Sequence, residues 1–235
     1  MFNKFIKTQS DEMDAMIPCS LLISLLEWVP GMDSTIPSII DMVMMKKSTS
    51  KTSDLKFLLN QLLFVCIWAS PQTSLNKLES ENNLAELLNQ VVTLIDSGKV
   101  TDDFEVTRIS MGINAMILNP GLSNLVEQYR QPLSNRLVAL FKRSVEIRQL
   151  TEPEQCEDDG VILADDDGEE DIPDDDEDYI PDGGNDNGTT FYDSKLEDLD
   201  EVFYFRDELQ KKQGDQNVYA AAISGFSQAD FDLFG

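Results

Sequence analysis

The sequence predicts an all-helical protein with a long acidic insertion, and three observations lead to this fold class. Apolar residues recur at the three-to-four spacing of amphipathic helices over most of the first 150 residues. Strand signals are missing, because the one Asn-Gly pair, Asn187-Gly188, lies in an acidic stretch and not between alternating runs. That stretch, residues 157–200, contains twenty of the forty-four acidic residues and one base, Lys195. It separates the apolar pattern into two regions.

Six helices are expected before the acidic stretch, each delimited by residues that begin or end helices. Pro71 and Pro120 end helices, because proline lacks a backbone N–H and clashes with the preceding turn. Gly98 suits a left-handed C-cap, residues 101–105 supply a capped start, and Pro132 is expected to split or kink the sixth helix. The apolar faces of the six helices fall within residues 21–28, 36–44, 55–67, 84–95, 109–117 and 133–145.

Helical patterning resumes after the acidic stretch. Leu199, Val202 and Leu209 share one face of a helix that starts among acids, which suit the positive end of a helix dipole. A short helix over 218–223 and a capped turn over 227–234 follow. We expect this segment to dock back onto the preceding helices, so that the acidic stretch is a loop tethered at both ends and not a tail.

The arrangement of the predicted helices favours a solenoid. Helix pairs of roughly forty residues match the repeat length of HEAT-type α-solenoids, in which each pair buries its face against its neighbours. A simple helical bundle is the competing architecture, because the letters contain no clear repeat signature. The expected organisation is HEAT-like helical repeats over 13–150, an acidic disordered loop over 151–197, and C-terminal helices over 198–235 that dock on the solenoid.

The acidic stretch dominates the electrostatics of the chain, since it contributes a net −19 of the total −26. It has too few apolar side chains to offset the entropy of ordering, so a mobile loop is predicted. A polyanion attracts basic protein surfaces and repels nucleic acid and anionic membranes. The candidate residues for binding a basic partner are its densest acids: Asp165, Asp166, Asp167, Glu169, Glu170, Asp171, Asp174, Asp175, Asp176, Glu177 and Asp178.

Patterns for catalysis and metal binding are missing from the sequence. Without any histidine, the chain cannot form a Ser-His-Asp or Cys-His apparatus or a histidine-containing zinc site. No glycine-rich phosphate loop occurs, and a calcium loop that turns at Gly168 would need a ligand where Leu163 stands. Carboxylates in a mobile loop have no fixed separation for acid and base roles. We therefore expect a binding protein, not an enzyme, with no cofactor and no bound metal.

The cysteines and the apolar runs indicate the compartment. Cys19, Cys66 and Cys156 are far apart, and the first two lie in apolar runs, which is typical of small core residues in a reducing environment. No signal-peptide pattern opens the sequence, and no apolar run is long enough to span a bilayer. The sequence therefore predicts a soluble intracellular protein.

Four lysines flank the predicted loop near residue 50: Lys46, Lys47, Lys51 and Lys56. They could form a basic patch, but lysines around a loop are more typical of a solvated turn. No patch of the sequence indicates nucleic-acid binding.

Several motifs resemble the C-terminal end of importin-β-type nuclear transport receptors. The order of the segments 110–118, 125–129 and 133–141 around Pro120 resembles the last repeats of that superfamily. The acidic region and the segments after it are similar to the importin-seven and importin-eight branch over residues 170–175, 178–179, 199–205, 219–224 and 227–230. Receptors of this superfamily are several times longer, and their N-terminal repeats hold the main Ran contact, so the chain looks like either a C-terminal piece or a shortened paralogue of such a receptor.

The resemblance implies a HEAT-repeat receptor that shuttles between cytoplasm and nucleus through the nuclear envelope. Such receptors take basic cargo such as histones and ribosomal proteins, contact nucleoporins, and release cargo on binding the GTP form of Ran. From the charge and the apolar runs of this chain we expect no nucleic-acid partner and no membrane insertion. Two other hypotheses remain open: a histone-chaperone-like or ribosome-assembly factor that shields basic proteins without transport, and a helical adaptor whose acidic loop is inert.

Overall fold

A computed structural model of the protein describes residues 12–151, 196 and 199–234, and these residues are helical without a β-strand among them. Nine α-helices and a terminal 3-10 helix make up this described part. Their bounds are α1 Glu12–Trp28, α2 Ile36–Thr49, α3 Ser53–Ala69, α4 Pro71–Ser80, α5 Leu84–Asp96, α6 Asp103–Ile117, α7 Asn124–Thr151, α8 Glu201–Lys211, α9 Gln216–Ala222 and the 3-10 helix Gln228–Phe234. The all-helical prediction is confirmed for these residues.

The helices before the acidic stretch pack in two rows. In the first row, α1 packs against α3, α3 packs against α6, and α8 packs against α6. The second row runs from α2 through α4 and α5 to α7. Helices α2 and α4 pack on α3, and α7 packs on α6, so the two rows enclose one apolar core.

The α3–α6 interface lies at the centre of this core. Leu62, Phe64 and Ile113 are fully buried there. Gly112 lets the two helices approach closely, because a Cβ at that position would lie 2.5 Å from Phe64 Cδ1 and 2.8 Å from the Phe64 carbonyl oxygen. Such distances are far inside van der Waals contact, so any larger residue would force the helices apart.

A buried polar link also crosses the first row. Glu27 of α1 is 3% exposed and accepts a hydrogen bond from Arg108 Nε of α6 at 2.9 Å. Arg108 also donates to Gln61 of α3 at 3.3 Å, and its guanidinium lies over the Phe104 ring. This pairing offsets the cost of burying the Glu27 carboxylate.

Several predicted helix ends are confirmed. Asp102 and Glu105 form a reciprocal capping box at the start of α6. Gly98 has a φ of +67°, the left-handed conformation expected after α5. The expectation that Pro132 could split the sixth helix is wrong, because α7 continues through it. Pro132 lies about two turns inside the helix, where only one backbone donor is lost.

Helix α4 was not predicted from the sequence. Pro71 ends α3 as expected, but it also occupies the first turn of α4, where its fixed φ favours a helix and its missing N–H costs nothing. Only Leu75 and Leu78 provide buried apolar side chains over its ten residues. Two such positions are too few for a periodicity argument.

The segment after residue 199 packs on α6 and α7. Phe205 of α8 is fully buried, and its ring lies 5.5 Å from those of Phe141 in α7 and Phe226. Ser134 Oγ donates to the Ala222 carbonyl at 2.8 Å and accepts from the Gly225 N–H at 3.0 Å. The C-terminal helices therefore contact the helical array through an aromatic cluster and specific polar bonds.

Candidate functional site

The structure does not describe the eleven acids predicted to bind cargo, which fall between Asp165 and Asp178. The loop that was predicted to be disordered also falls outside the described residues. The structure instead describes the two points at which the chain enters and leaves this region. Helix α7 ends at Thr151, and the chain is described continuously again from Leu199. These two points form the base of the acidic segment.

Arg148, in the last turn of α7, joins the two sides of that base. Its guanidinium contacts Asp200 Oδ2 and Glu201 Oε2, each at 2.5 Å, and Asp103 Oδ1 of α6 at 3.9 Å. Asp200 and Glu201 begin α8, so one arginine links three helices. The described residues that precede and follow the acidic segment are therefore in contact at Arg148.

Because Glu201 is buried, its carboxylate needs a compensating positive charge. The Glu201 side chain is fully buried, and Thr107 Oγ1 of α6 donates to Glu201 Oε2 at 3.2 Å. Glu201 Oε1 has no hydrogen-bond partner within the described part of the chain. Burial of the Arg148 guanidinium acts to lower its pKa, but Glu201 and Asp200 raise it above the ordinary value overall. Arg148 therefore remains charged, and Glu201 depends on it for compensation.

Asp200 has a second role at the same place. Its Oδ1 accepts hydrogen bonds from the backbone N–H groups of Val202 and Phe203, each at 2.9 Å, and so caps the start of α8. One carboxylate thus fixes both the arginine and the helix start. Acids at the start of this helix were expected to suit its dipole, but their pairing with Arg148 was not predicted, because the partners are 52 and 53 residues apart.

A second ion pair secures the terminal 3-10 helix. Asp230 Oδ1 contacts Lys142 Nζ of α7 at 2.5 Å, and Asp230 Oδ2 accepts from both the Ser227 N–H and the Ser227 hydroxyl at 2.7 Å. The hydrogen bond from Lys142, followed by those from Ser227, lowers the pKa of Asp230 to about 2. The end of the chain is therefore held by a carboxylate that is ionised at neutral pH.

A small cleft of about 120 Å³ opens beside α8, between α3 and α6. Asn114 of α6 lines it and is 1% exposed, yet neither atom of its carboxamide has a hydrogen-bond partner among the described residues. Trp68 forms an apolar wall, and Tyr204 and Glu208 of α8 add polar groups. A carboxamide that can both donate and accept suits another amide, such as a peptide bond.

The described residues offer little else for chemistry. No group of three or more histidine, cysteine or acidic residues in 12–151, 196 and 199–234 could hold a metal ion. Cys19 and Cys66 are buried, and burial raises the pKa of their thiols to about 11 and about 12, as expected for core residues. Within the same residues no helix combines the length and apolar character needed to cross a membrane.

Comparisons with known proteins found no match to a family model, to a curated protein or to a solved structure.

Proposed function

We propose that this chain is the cargo-facing end of a nuclear import receptor and that it binds basic proteins such as histones or ribosomal proteins. The observation that carries the proposal is the Arg148 junction with Asp200 and Glu201. Because Arg148 joins the described residues on either side of the acidic segment, we propose that both ends of the segment are anchored to a fixed helical surface. A free acidic tail would offer charge without such a surface.

The two-row packing supports the HEAT-type part of this proposal. In a solenoid each helix pair contacts its neighbours, and here α1, α3 and α6 form one row while α2, α4, α5 and α7 form the other. The extra short helix α4 departs from a strict alternation of two helices per repeat. We propose a HEAT-like array with one irregular repeat rather than a closed bundle.

The proposed mechanism is binding in two stages. The net −19 of residues 157–200 attracts a basic partner over long range and raises its local concentration. The adjoining surface of α8, with Tyr204, Glu208 and the Asn114 cleft, then provides short-range contacts. Long-range attraction by the acidic segment speeds association and makes binding sensitive to salt, whereas the fixed surface provides selectivity.

The direct test is binding of a core-histone mixture to the full chain at low and at physiological ionic strength. We expect affinity to fall at least about tenfold as salt screens the acids. The test variant neutralises four loop acids through the substitutions Asp174→Asn, Asp175→Asn, Asp176→Asn and Glu177→Gln. The matched control removes the same charge from exposed scaffold acids without an ion pair in the described residues: Asp14→Asn, Asp33→Asn, Glu79→Gln and Asp232→Asn.

Weaker binding by the loop variant alone would support capture by the acidic segment. Equal losses of affinity in the two variants would mean that net charge alone explains the binding. No loss of affinity in either variant would refute the role of the segment. Adding Ran in its GTP form separates transport from shielding: displacement of the histones supports an import receptor. Loop-dependent binding that is indifferent to Ran favours the histone-chaperone-like alternative.

A further inference from the structure

A groove of about 480 Å³ lies between α2, α3 and α5, and none of the residues that contact Arg148 lines it. Three lysines from three different parts of the chain line it: Lys47 of α2, Lys56 of α3 and Lys99 of the turn before α6. From the sequence, the lysines near residue 50 are expected to flank a solvated turn. The structure separates that group, because Lys46 is buried and Lys51 does not line the groove, and it brings in Lys99 instead.

Two of the three lysines are exposed and uncompensated. Neither Lys56 nor Lys99 forms an ion pair with any described residue. Lys47 is half-buried and donates to Gln90 Oε1 at 2.5 Å. Burial lowers the pKa of Lys47, while Glu86 acts in the opposite direction. In a chain with a net charge of −26, this groove is therefore a local concentration of positive charge.

The groove also contains an unused hydrogen-bond acceptor. Asn60 Oδ1 is buried in its wall and accepts no hydrogen bond within the described residues. The amides of Asn89 and Gln90 are already engaged, by the Tyr129 hydroxyl and by Lys47 respectively. Phe57 and Leu94 supply apolar surface. A well-matched occupant must donate a hydrogen bond, carry negative charge and bring some apolar surface.

From this combination we infer that the groove binds an extended acidic peptide of a partner protein. A backbone N–H of the peptide donates to Asn60 Oδ1, and its carboxylates lie near Lys56 and Lys99. A simple anion would use the charge but not the apolar wall. A long nucleic acid would be repelled by the rest of the chain, so a short anionic segment fits best.

This site goes beyond the proposed function, because its partner is acidic where the proposed cargo is basic. The groove contains none of the residues 157–200, so the peptide site and the proposed function can be refuted separately. Loss of histone binding on neutralising the acidic segment would leave the groove intact, and loss of peptide binding on changing the groove would leave histone binding intact.

The test is fluorescence anisotropy of a labelled octaglutamate peptide titrated with the full chain. The main variant is Lys56→Gln with Lys99→Gln, and we expect about tenfold weaker binding from the loss of two exposed charge contacts. The matched control is Lys51→Gln with Arg143→Gln, which removes the same charge from solvent-accessible positions outside both the groove and the Asn114 cleft. The control is expected to bind within about twofold of the unmodified chain, because distant exposed charges are screened.

A second variant isolates the hydrogen bond. Asn60→Leu keeps the approximate size of the side chain and removes the acceptor, and we expect about fivefold weaker binding with an unchanged salt dependence. Circular dichroism and thermal unfolding of each variant establish that the fold is retained. A loss shared equally by the groove and control variants would overturn the site, because net charge would then explain it.

Two further probes identify the ligand class. A phosphoserine peptide of the same length that binds with the same sensitivity to the variants would support the peptide site and assign phosphate as its preferred anion. An octathymidine strand or inorganic tripolyphosphate that binds more tightly than either peptide would overturn the assignment to a peptide. Absence of octaglutamate binding at low salt would overturn the proposal as a whole.

Discussion

The α3–α6 interface and the attachment of residues 199–234 hold the molecule together by different means. The first is a continuous apolar contact in which Gly112 lets α6 lie directly on Phe64. The second depends on an aromatic cluster and on a few polar bonds, among them those of Arg148, Ser134 and Asp230. Apolar burial is insensitive to pH and salt, whereas individual ion pairs respond to both. The C-terminal segment is therefore expected to loosen before the core unfolds.

The largest effect is expected from removing the charge of Arg148. Arg148→Met leaves the Glu201 carboxylate buried without a cation, which typically costs about 3–5 kcal/mol. The loss should appear as faster amide hydrogen exchange in α8, while exchange in α3 stays slow. The control Arg143→Met removes an exposed pair with Glu146 and is expected to cost about 0–1 kcal/mol.

A second change in the same background sharpens this prediction. If the unpaired charge causes the loss, then Arg148→Met combined with Glu201→Gln should restore part of the protection of α8. Equal exchange in the single and double variants would show that the arginine acts by packing and not by charge.

The next largest effect tests the core. Gly112→Ala places a Cβ against Phe64 and is expected to lower the free energy of global unfolding by about 1–3 kcal/mol. Urea unfolding followed by tryptophan fluorescence measures this, because both tryptophans, Trp28 and Trp68, lie in the first row of helices. Gly214→Ala is the control, since nothing lies within 4 Å of a Cβ there. An unchanged urea midpoint for Gly112→Ala would contradict the close packing.

Gly225→Ala tests the attachment by the same kind of change. A Cβ at Gly225 would lie 2.4 Å from the Asn135 backbone nitrogen of α7. We expect a local loss of about 1–3 kcal/mol, seen as faster amide exchange in α9. The tryptophan-detected urea midpoint should stay within error. A midpoint shift as large as that of Gly112→Ala would mean that the two regions unfold as one unit.

The smallest effect concerns pH. The pKa of Asp230 is lowered to about 2 from an ordinary value of 3.8, so its contribution to stability is present above the ordinary value and is lost as pH falls toward 2. Asp230→Asn should therefore loosen the 3-10 helix at pH 7, with a difference from the unmodified chain that shrinks between about pH 4 and pH 2. Amide exchange of residues 228–233 measures this difference. A pH-independent difference would assign the effect to lost hydrogen-bond geometry.

Helix positions were largely predictable because helix signals are local. Apolar spacing, the Asp102 and Glu105 capping box, and the left-handed Gly98 all act within a few residues of each other. Helix α4 escaped prediction for the same reason, since it has only two buried apolar residues and begins at a proline. For Pro132 the sequence left a split and a kinked helix open, and α7 is continuous because packing of both flanking stretches outweighs one lost backbone bond.

The candidate sites were less predictable because their members are distant in sequence. Arg148 and Glu201 are 53 residues apart, and no local pattern indicates that they pair. Lys99 joins Lys47 and Lys56 only because α5 and the turn after it line the same groove as α2 and α3 in the folded chain. Among the described residues, the unsatisfied Asn60 Oδ1 and the unpaired Asn114 carboxamide are recognised only once burial is known. For the acids at 165–178, the prediction rests on composition alone.

The sequence by itself determined that the described chain is helical, where most of its helices begin and end, and that its negative charge is concentrated in one stretch. These properties depend on side-chain spacing, capping and composition, which are local or additive. Only the tertiary structure decided that Arg148 pairs with Asp200 and Glu201 across the acidic stretch and that three separate lysines line one groove. Such juxtapositions depend on which helix faces pack together, because burial of apolar surface fixes distant polar groups in the same place.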